Sequence, residues 1–257
     1  MKFSANIGFL WDDLPLTERV RRAAANGFDA VECHFPYDTD PAELAAVLAE
    51  CNLPLLSLNT ALGANGQDDF GVTARPDRRD EARRLIDAAL DYADVSGCRM
   101  VSVVPGRTAR AEGAETTWRE NLAYAAEKAA ALGKTLLIEP INQRVVPGYH
   151  LSLLDDALAT IDAVAAPNLK LMFDCFHTQI MEGDLRHNLE RVLPVLGHVQ
   201  MAAVHDRGEP DQGEIDYPWL LGELYAMGWE GHVGAEYRPR GASVEAGLGW
   251  LPAFRAA

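Results

Sequence analysis

The run Thr135-Leu136-Leu137-Ile138-Glu139-Pro140 is followed by an amphipathic stretch at 152–165 and then by Lys170-Leu171-Met172-Phe173-Asp174. Each outer run is short, apolar and closed by a carboxylate, as expected of a strand covered on both faces. The stretch between them carries apolar residues three and four apart, the spacing of a helix. Two neighbouring strands joined through a helix are parallel, because a parallel return needs a crossover. The same unit recurs in both directions. Strands are expected at Phe3–Ile7, Ala30–Glu32, Leu55–Asn59, Met100–Val104, Thr135–Glu139, Lys170–Asp174, Val199–Val204 and His232–Glu236. Helices are expected at 14–26, 41–51, 77–96, 116–132, 152–165, 184–196, 217–227 and 243–255. Pro41 suits a first helical turn, Ser152 an N-cap, and Gly133 and Gly228 helix ends.

Eight strand-helix units in 257 residues fit an α/β fold, a single (β/α)8 TIM barrel spanning 1–257. The rival is an open doubly wound sheet, which would carry a glycine fingerprint after its first strand. Here that turn reads Gly8-Phe9-Leu10-Trp11. Lys+Arg 23 against Asp+Glu 38 leaves a net charge of −15, which repels nucleic acid and anionic membrane surfaces. Cys33, Cys51, Cys98 and Cys175 show no CxxC spacing and read as buried free thiols in a reducing compartment. The N-terminus lacks a signal-peptide core, and no apolar run reaches membrane-spanning length. The expectation is a cytoplasmic protein acting on a small molecule, with a homo-oligomer left open.

A barrel of this kind carries its chemistry at the C-terminal ends of its strands. The polar residues there are Glu32, Asn59, Glu139, Asp174, Gln200 or His205, and Glu236, while strand four runs out into Pro105-Gly106-Arg107. Any one of Glu139, Asp174 and Glu236 could cap a helix or pair with an arginine. Three such carboxylates converging at one barrel mouth need a cation. With Gln200 they form an oxygen-rich set suited to Mg2+ or Mn2+. His177 stands just past Asp174 and could donate to a substrate oxygen. Arg207, in the long polar segment 205–217, is the candidate clamp for a substrate anion. Trp219, Trp229 and Trp250 read as packing residues.

The chain resembles the hydroxypyruvate isomerases, within the xylose-isomerase-like TIM-barrel superfamily that also holds ketose 3-epimerases and endonuclease IV. The resemblance is carried by Phe3-Ser4-Ala5-Asn6, Val31-Glu32 with Phe35-Pro36-Tyr37, Ile138-Glu139-Pro140-Ile141-Asn142, Asp174-Cys175-Phe176-His177, Gly197-His198-Val199-Gln200, Arg207-Gly208-Glu209-Pro210 and Glu236-Tyr237-Arg238-Pro239. It implies a divalent metal held by Glu139, Asp174, Gln200 and Glu236. It also implies that Glu139 and Glu236 serve as the acid/base pair, and that His177 and Arg207 grip the substrate. The implied activity is an intramolecular oxidoreductase that interconverts hydroxypyruvate and tartronate semialdehyde through an enediolate. The alternatives are a 2-oxo-tetronate isomerase or a ketose 3-epimerase, and beyond them a non-catalytic sugar-acid binding protein. Gln200 stands where the epimerase branch usually has His. Met201-Ala202-Ala203 and Asn59-Thr60-Ala61-Leu62-Gly63-Ala64 depart from the family's usual wording near the barrel mouth.

Overall fold

The computed structural model describes residues 1–256. Eight strands alternate with helices: β1 Phe3–Asn6, β2 Ala30–Glu32, β3 Ser57–Asn59, β4 Met100–Ser102, β5 Thr135–Ile138, β6 Leu169–Asp174, β7 Leu196–Met201 and β8 Val233–Ala235. The helices are α1 Leu16–Ala25, α2 Pro41–Cys51, α3 Arg79–Ser96, α4 Ala114–Ala131, α5 Leu154–Val164, α6 Cys175–Met181, α7 Leu185–Val192, α8 Tyr217–Ala226 and α9 Trp250–Ala256. All ladders are parallel, in the order β2-β1-β8-β7-β6-β5-β4-β3. A parallel bridge between Val31 and Leu55 joins the two ends, so the sheet curls into a nearly closed barrel. No helix among the described residues is long and apolar enough to cross a membrane.

Local chemistry explains the helices. Asp40 accepts from the N–H groups of Ala42 and Glu43 and starts α2, with Pro41 in its first turn. In α3, Ala82, Ile86, Ala89, Leu90 and Ala93 form the buried stripe, and Gly97 ends it at φ +74°. The aromatic core gathers at Trp250, whose ring lies 5.5 Å from that of Phe3 and 6.1 Å from that of Phe28.

Several boundaries differ from the sequence expectation. β7 begins at Leu196 and ends at Met201, so 202–204 belong to the loop above it. The stretch after Asp174 is the helix α6, not a loop, and Asp174 itself caps it by accepting from the Phe176 N–H at 2.7 Å. Ser152 is not an N-cap: α5 starts without a side-chain cap, and the Ser152 hydroxyl bonds Tyr149 O instead. Trp219 is exposed, and Cys51 is only partly buried, while the other three thiols are buried and all four are free. Segment 205–217 is tied down, since buried Glu209 takes the Arg240 side chain at 3.0 Å and its backbone N–H at 3.0 Å.

Register aligns the strand ends. Asp174 pairs with Gln200 across β6 and β7, and Asn6 with Glu32 across β1 and β2. Above β4 the backbone is gripped from two sides: Gly71 bridges Pro105, and Tyr149 bridges Arg107. Gly106, at φ +97°, sits between them, and a Cβ there would lie 2.0 Å from the Gly71 carbonyl oxygen. Gly106→Ala is expected to cost roughly 2–4 kcal/mol, from the left-handed conformation plus the overpacking, read by urea denaturation.

Candidate active site

Glu139 follows β5, Asp174 ends β6, Gln200 lies in β7, and Glu236 follows β8. One donor atom each of Glu139, Asp174 and His177 lies within 4.8 Å of the others, a buried group that could hold a metal ion. Above them opens a cavity of about 310 Å³, lined among others by Glu139, His177, Arg207, Glu236, His34 and Arg107. Its volume suits a small metabolite. Asp174 and Gln200 form its buried floor.

Arg207 holds the group together. Its Nη2 donates to Asp174 Oδ2 at 3.0 Å and to Glu236 Oε2 at 2.7 Å. The backbone at Arg207 is left-handed, φ +60°, and is pinned by its N–H to Ala203 O at 2.9 Å and by Arg238 N–H to its own carbonyl at 2.7 Å. The guanidinium lies over the rings of Phe9 and Phe176, 5.3 and 5.0 Å from their centroids.

This cation divides the carboxylates. Burial pushes Glu236 up, but the Arg207 charge and the His34 bond outweigh it and hold the group at about 2. His34 Nε2 is 2.6 Å and Asn6 Nδ2 3.2 Å from Glu236 Oε1. Glu139 goes the other way: burial, then the charges of Glu236 and Asp174, drive it well above the carboxylate range. Asp174 is raised to about 7, chiefly by burial, with Arg207 opposing.

The network also grips His177 from both sides. Asn142 Oδ1 accepts from Val145 N–H at 2.8 Å, so its amide nitrogen is the group that meets His177 Nδ1 at 2.6 Å, with the Asn142 backbone N–H at 3.3 Å from the same atom. Nε2 in turn lies 3.1 Å from Arg207 Nη1, also a donor, and 3.6 Å from Glu139 Oε1 and 3.5 Å from Asp174 Oδ2, so N–H donors face both ring nitrogens. Burial, with Arg207 nearby, keeps this ring neutral, well below the usual histidine range.

Beneath the floor lies a second polar group. Glu32 Oε2 meets His198 Nε2 at 2.6 Å and the Ser57 hydroxyl at 3.4 Å, and the Gln200 amide nitrogen stands 3.5 Å away. Gln200 Oε1 is buried with no partner. Gly234 makes the room, since a Cβ there would lie 2.1 Å from Glu32 Oε1.

The structure thus brings together five of the residues expected from the sequence, Glu139, Asp174, His177, Arg207 and Glu236, while Gln200, beside Asp174 in strand register, turns its amide nitrogen toward Glu32. It also adds His34, Asn142 and His198, which stood near quoted motifs but had no assigned role. Arg207, expected to clamp a substrate anion, is engaged with Asp174 and Glu236. Arg207→Met leaves buried like charges unpaired and is expected to cost about 3–5 kcal/mol at pH 8 in metal-free protein. The sign follows from carboxylates raised in the folded state: the penalty is full above their folded values and fades as pH falls toward the ordinary range. Denaturation at pH 8 and pH 5 checks it, with the smaller loss expected at pH 5.

Comparison with known proteins agrees with this geometry. The Xylose isomerase-like TIM barrel family matches residues 20–254. A Cupriavidus necator protein named 2-oxo-tetronate isomerase is 43% identical, covering 98% of each chain. An Escherichia coli protein named hydroxypyruvate isomerase is 37% identical over 99% of this chain and all of that one. The crystal structure of a Brucella melitensis protein named AP endonuclease, family 2, superposes with a TM-score of 0.95 at 39% identity, covering 98% of both chains. With its barrel, its strand-end carboxylates and these relatives, the chain belongs to the xylose isomerase-like TIM barrel family.

Proposed function

We propose that the protein is an isomerase of a small 2-keto-3-hydroxy acid, moving a proton from C3 to C2 through an enediolate. Hydroxypyruvate and tartronate semialdehyde are the first candidate pair. The named relatives support the reaction class. The observation that carries the reading is that Glu139 and Glu236 line one cavity of about 310 Å³ in unlike surroundings, Glu236 bound by Arg207, His34 and Asn6 and Glu139 without comparable donors. Two carboxyls with environments that push them apart are the pattern of an acid and a base.

In this reading Glu236, ionised and anchored by His34, Asn6 and Arg207, takes the proton from C3. Glu139 supplies one to C2 while the hydroxyl proton on O3 passes to O2, leaving a carbonyl at C3, and exchange with water restores both glutamates. His177, on the cavity wall beside Glu139, helps to hold a substrate oxygen. General acid–base catalysis of this kind supplies roughly 10²–10⁴-fold, so charge stabilisation must supply the rest.

The donor set fits a hard divalent cation. Glu139, Asp174 and Glu236 are like charges in a buried space, and Gln200 Oε1 is an oxygen shut from water with no partner. These four would hold Mg2+ or Mn2+, with His177 left to the substrate. A bound ion would polarise the ketone and neutralise the charge that develops on it. Arg207, bridging two of the four, is the cation that balances them otherwise.

The Cupriavidus necator relative favours a second substrate, 2-oxo-tetronate, which differs at C3 only by a hydroxymethyl group. A ketose would need the same exchange without a carboxylate. Endonuclease activity, as in the name of the Brucella melitensis protein, would require a polyanion to approach a chain of net charge −15. We place the protein, with its four free thiols, in the cytoplasm.

Incubation of the metal-loaded protein with hydroxypyruvate or 2-oxo-tetronate in D2O, followed by proton NMR, tests the reaction. Deuterium at C3 or appearance of the isomer is expected. Glu139→Gln and Glu236→Gln should each lower turnover by at least about 10³-fold with the fold kept. Near-normal exchange in either variant removes that residue from the mechanism.

A further inference from the structure

We propose that Arg107 holds the carboxylate of the substrate and so decides that this barrel takes keto acids over neutral ketoses. The proposal rests on the keto-acid reading above. An anion entering a site already rich in carboxylates needs an uncommitted cation, and most arginines near the mouth are committed. Arg207 is bound to Asp174 and Glu236. Arg240 is bound to Asp206 and Glu209. Arg78, on the loop beyond β3, is bound to Asp69 and Glu81.

Arg107 differs. It lines the same cavity as Glu139 and Glu236. Its Nη1 donates to Pro147 O at 2.6 Å, which fixes one end of the guanidinium. Its Nε is buried without an acceptor, and among the described residues no carboxylate pairs with it. Nη2, at the other end of the guanidinium fork, has no partner and is not closed off in this way, so it is the nitrogen that a carboxylate oxygen can reach. Val104, Val146 and Tyr149, all buried, make its surroundings apolar, where an ion pair is stronger than in water.

The backbone is arranged for this. Arg107 N–H donates to Asp69 O at 2.9 Å, and the bridges of Pro105 to Gly71 and of Arg107 to Tyr149 clamp the turn on both sides. The guanidinium lies toward Phe70, 5.8 Å from its centroid. Arg238 is the other unpaired arginine lining the cavity, but it is exposed and rests on Phe9 at 4.4 Å. In water its charge is screened, so it attracts the anion more than it orients it.

The test compares hydroxypyruvate with dihydroxyacetone, which keeps the ketone and hydroxyl and replaces the carboxylate with a hydroxymethyl group. For Arg107→Met the ratio of kcat/KM on the acid to that on the neutral ketose should fall roughly 100-fold, mostly through KM. Arg107→Lys, which keeps the charge and loses the fork, should fall part of the way. An unchanged ratio in both variants overturns the assignment, as does a fall confined to Arg238→Met. If the wild type turns over neither hydroxypyruvate nor 2-oxo-tetronate, the reaction assignment fails separately. Calorimetric titration with D-glycerate then decides: weaker binding in Arg107→Met or Arg107→Lys upholds the role, and equal binding, or none in the wild type, overturns it.

Discussion

Arg207 carries the charge balance on which this site depends. Asp174 and Glu236 would repel each other in a space closed to water, and one guanidinium nitrogen bridges them at 3.0 and 2.7 Å. Removing a carboxylate from water costs several kcal/mol, recovered only with good geometry and a partner. The partner is fixed by the left-handed turn at residue 207 and by backbone bonds to Ala203 and Arg238. A divalent ion shared among the same oxygens would relieve the same repulsion.

The charge balance is uneven, and that unevenness is what chemistry can use. Glu236 receives Arg207, His34 and Asn6 and stays ionised, whereas Glu139 receives no comparable donor and is driven toward its protonated form. Two identical side chains are thus pushed in opposite directions by their surroundings. His177 is fixed in place in the same way, between the Asn142 amide at Nδ1 and the Arg207 guanidinium at Nε2.

The barrel keeps these groups rigid and leaves selection to its loops. Strand register sets Asp174 beside Gln200, and Glu32 with His198 fills the space below them. The loops after β3, β4 and β5 interlock through Gly71, Gly106 and Tyr149 and present Arg107 to the cavity from its own apolar flank. Catalytic groups on strand ends and selective groups on loops are separable, which lets related barrels share a reaction and differ in substrate.

Strand-helix alternation, read from periodicity alone, is enough for the (β/α)8 fold, because buried parallel strands are short, apolar and joined by amphipathic helices. The same reading places Glu139, Asp174, Gln200 and Glu236 at strand ends, where a charge after an apolar run demands an explanation. His177 and Arg207 were legible from their nearness to those ends. Which oxygen meets which nitrogen was not. The pairing of Arg207 with Asp174 and Glu236 spans 33 and 29 residues, and that of His34 with Glu236 spans 202. No local pattern encodes such contacts. Arg107 was visible only as the residue after a Pro-Gly turn. Its unpaired buried nitrogen exists only once loops from three parts of the chain close around it. Composition and period determine which residues reach the barrel mouth; tertiary packing decides which of their charges are already satisfied and which remain for a ligand, because satisfaction is a property of neighbours distant in sequence.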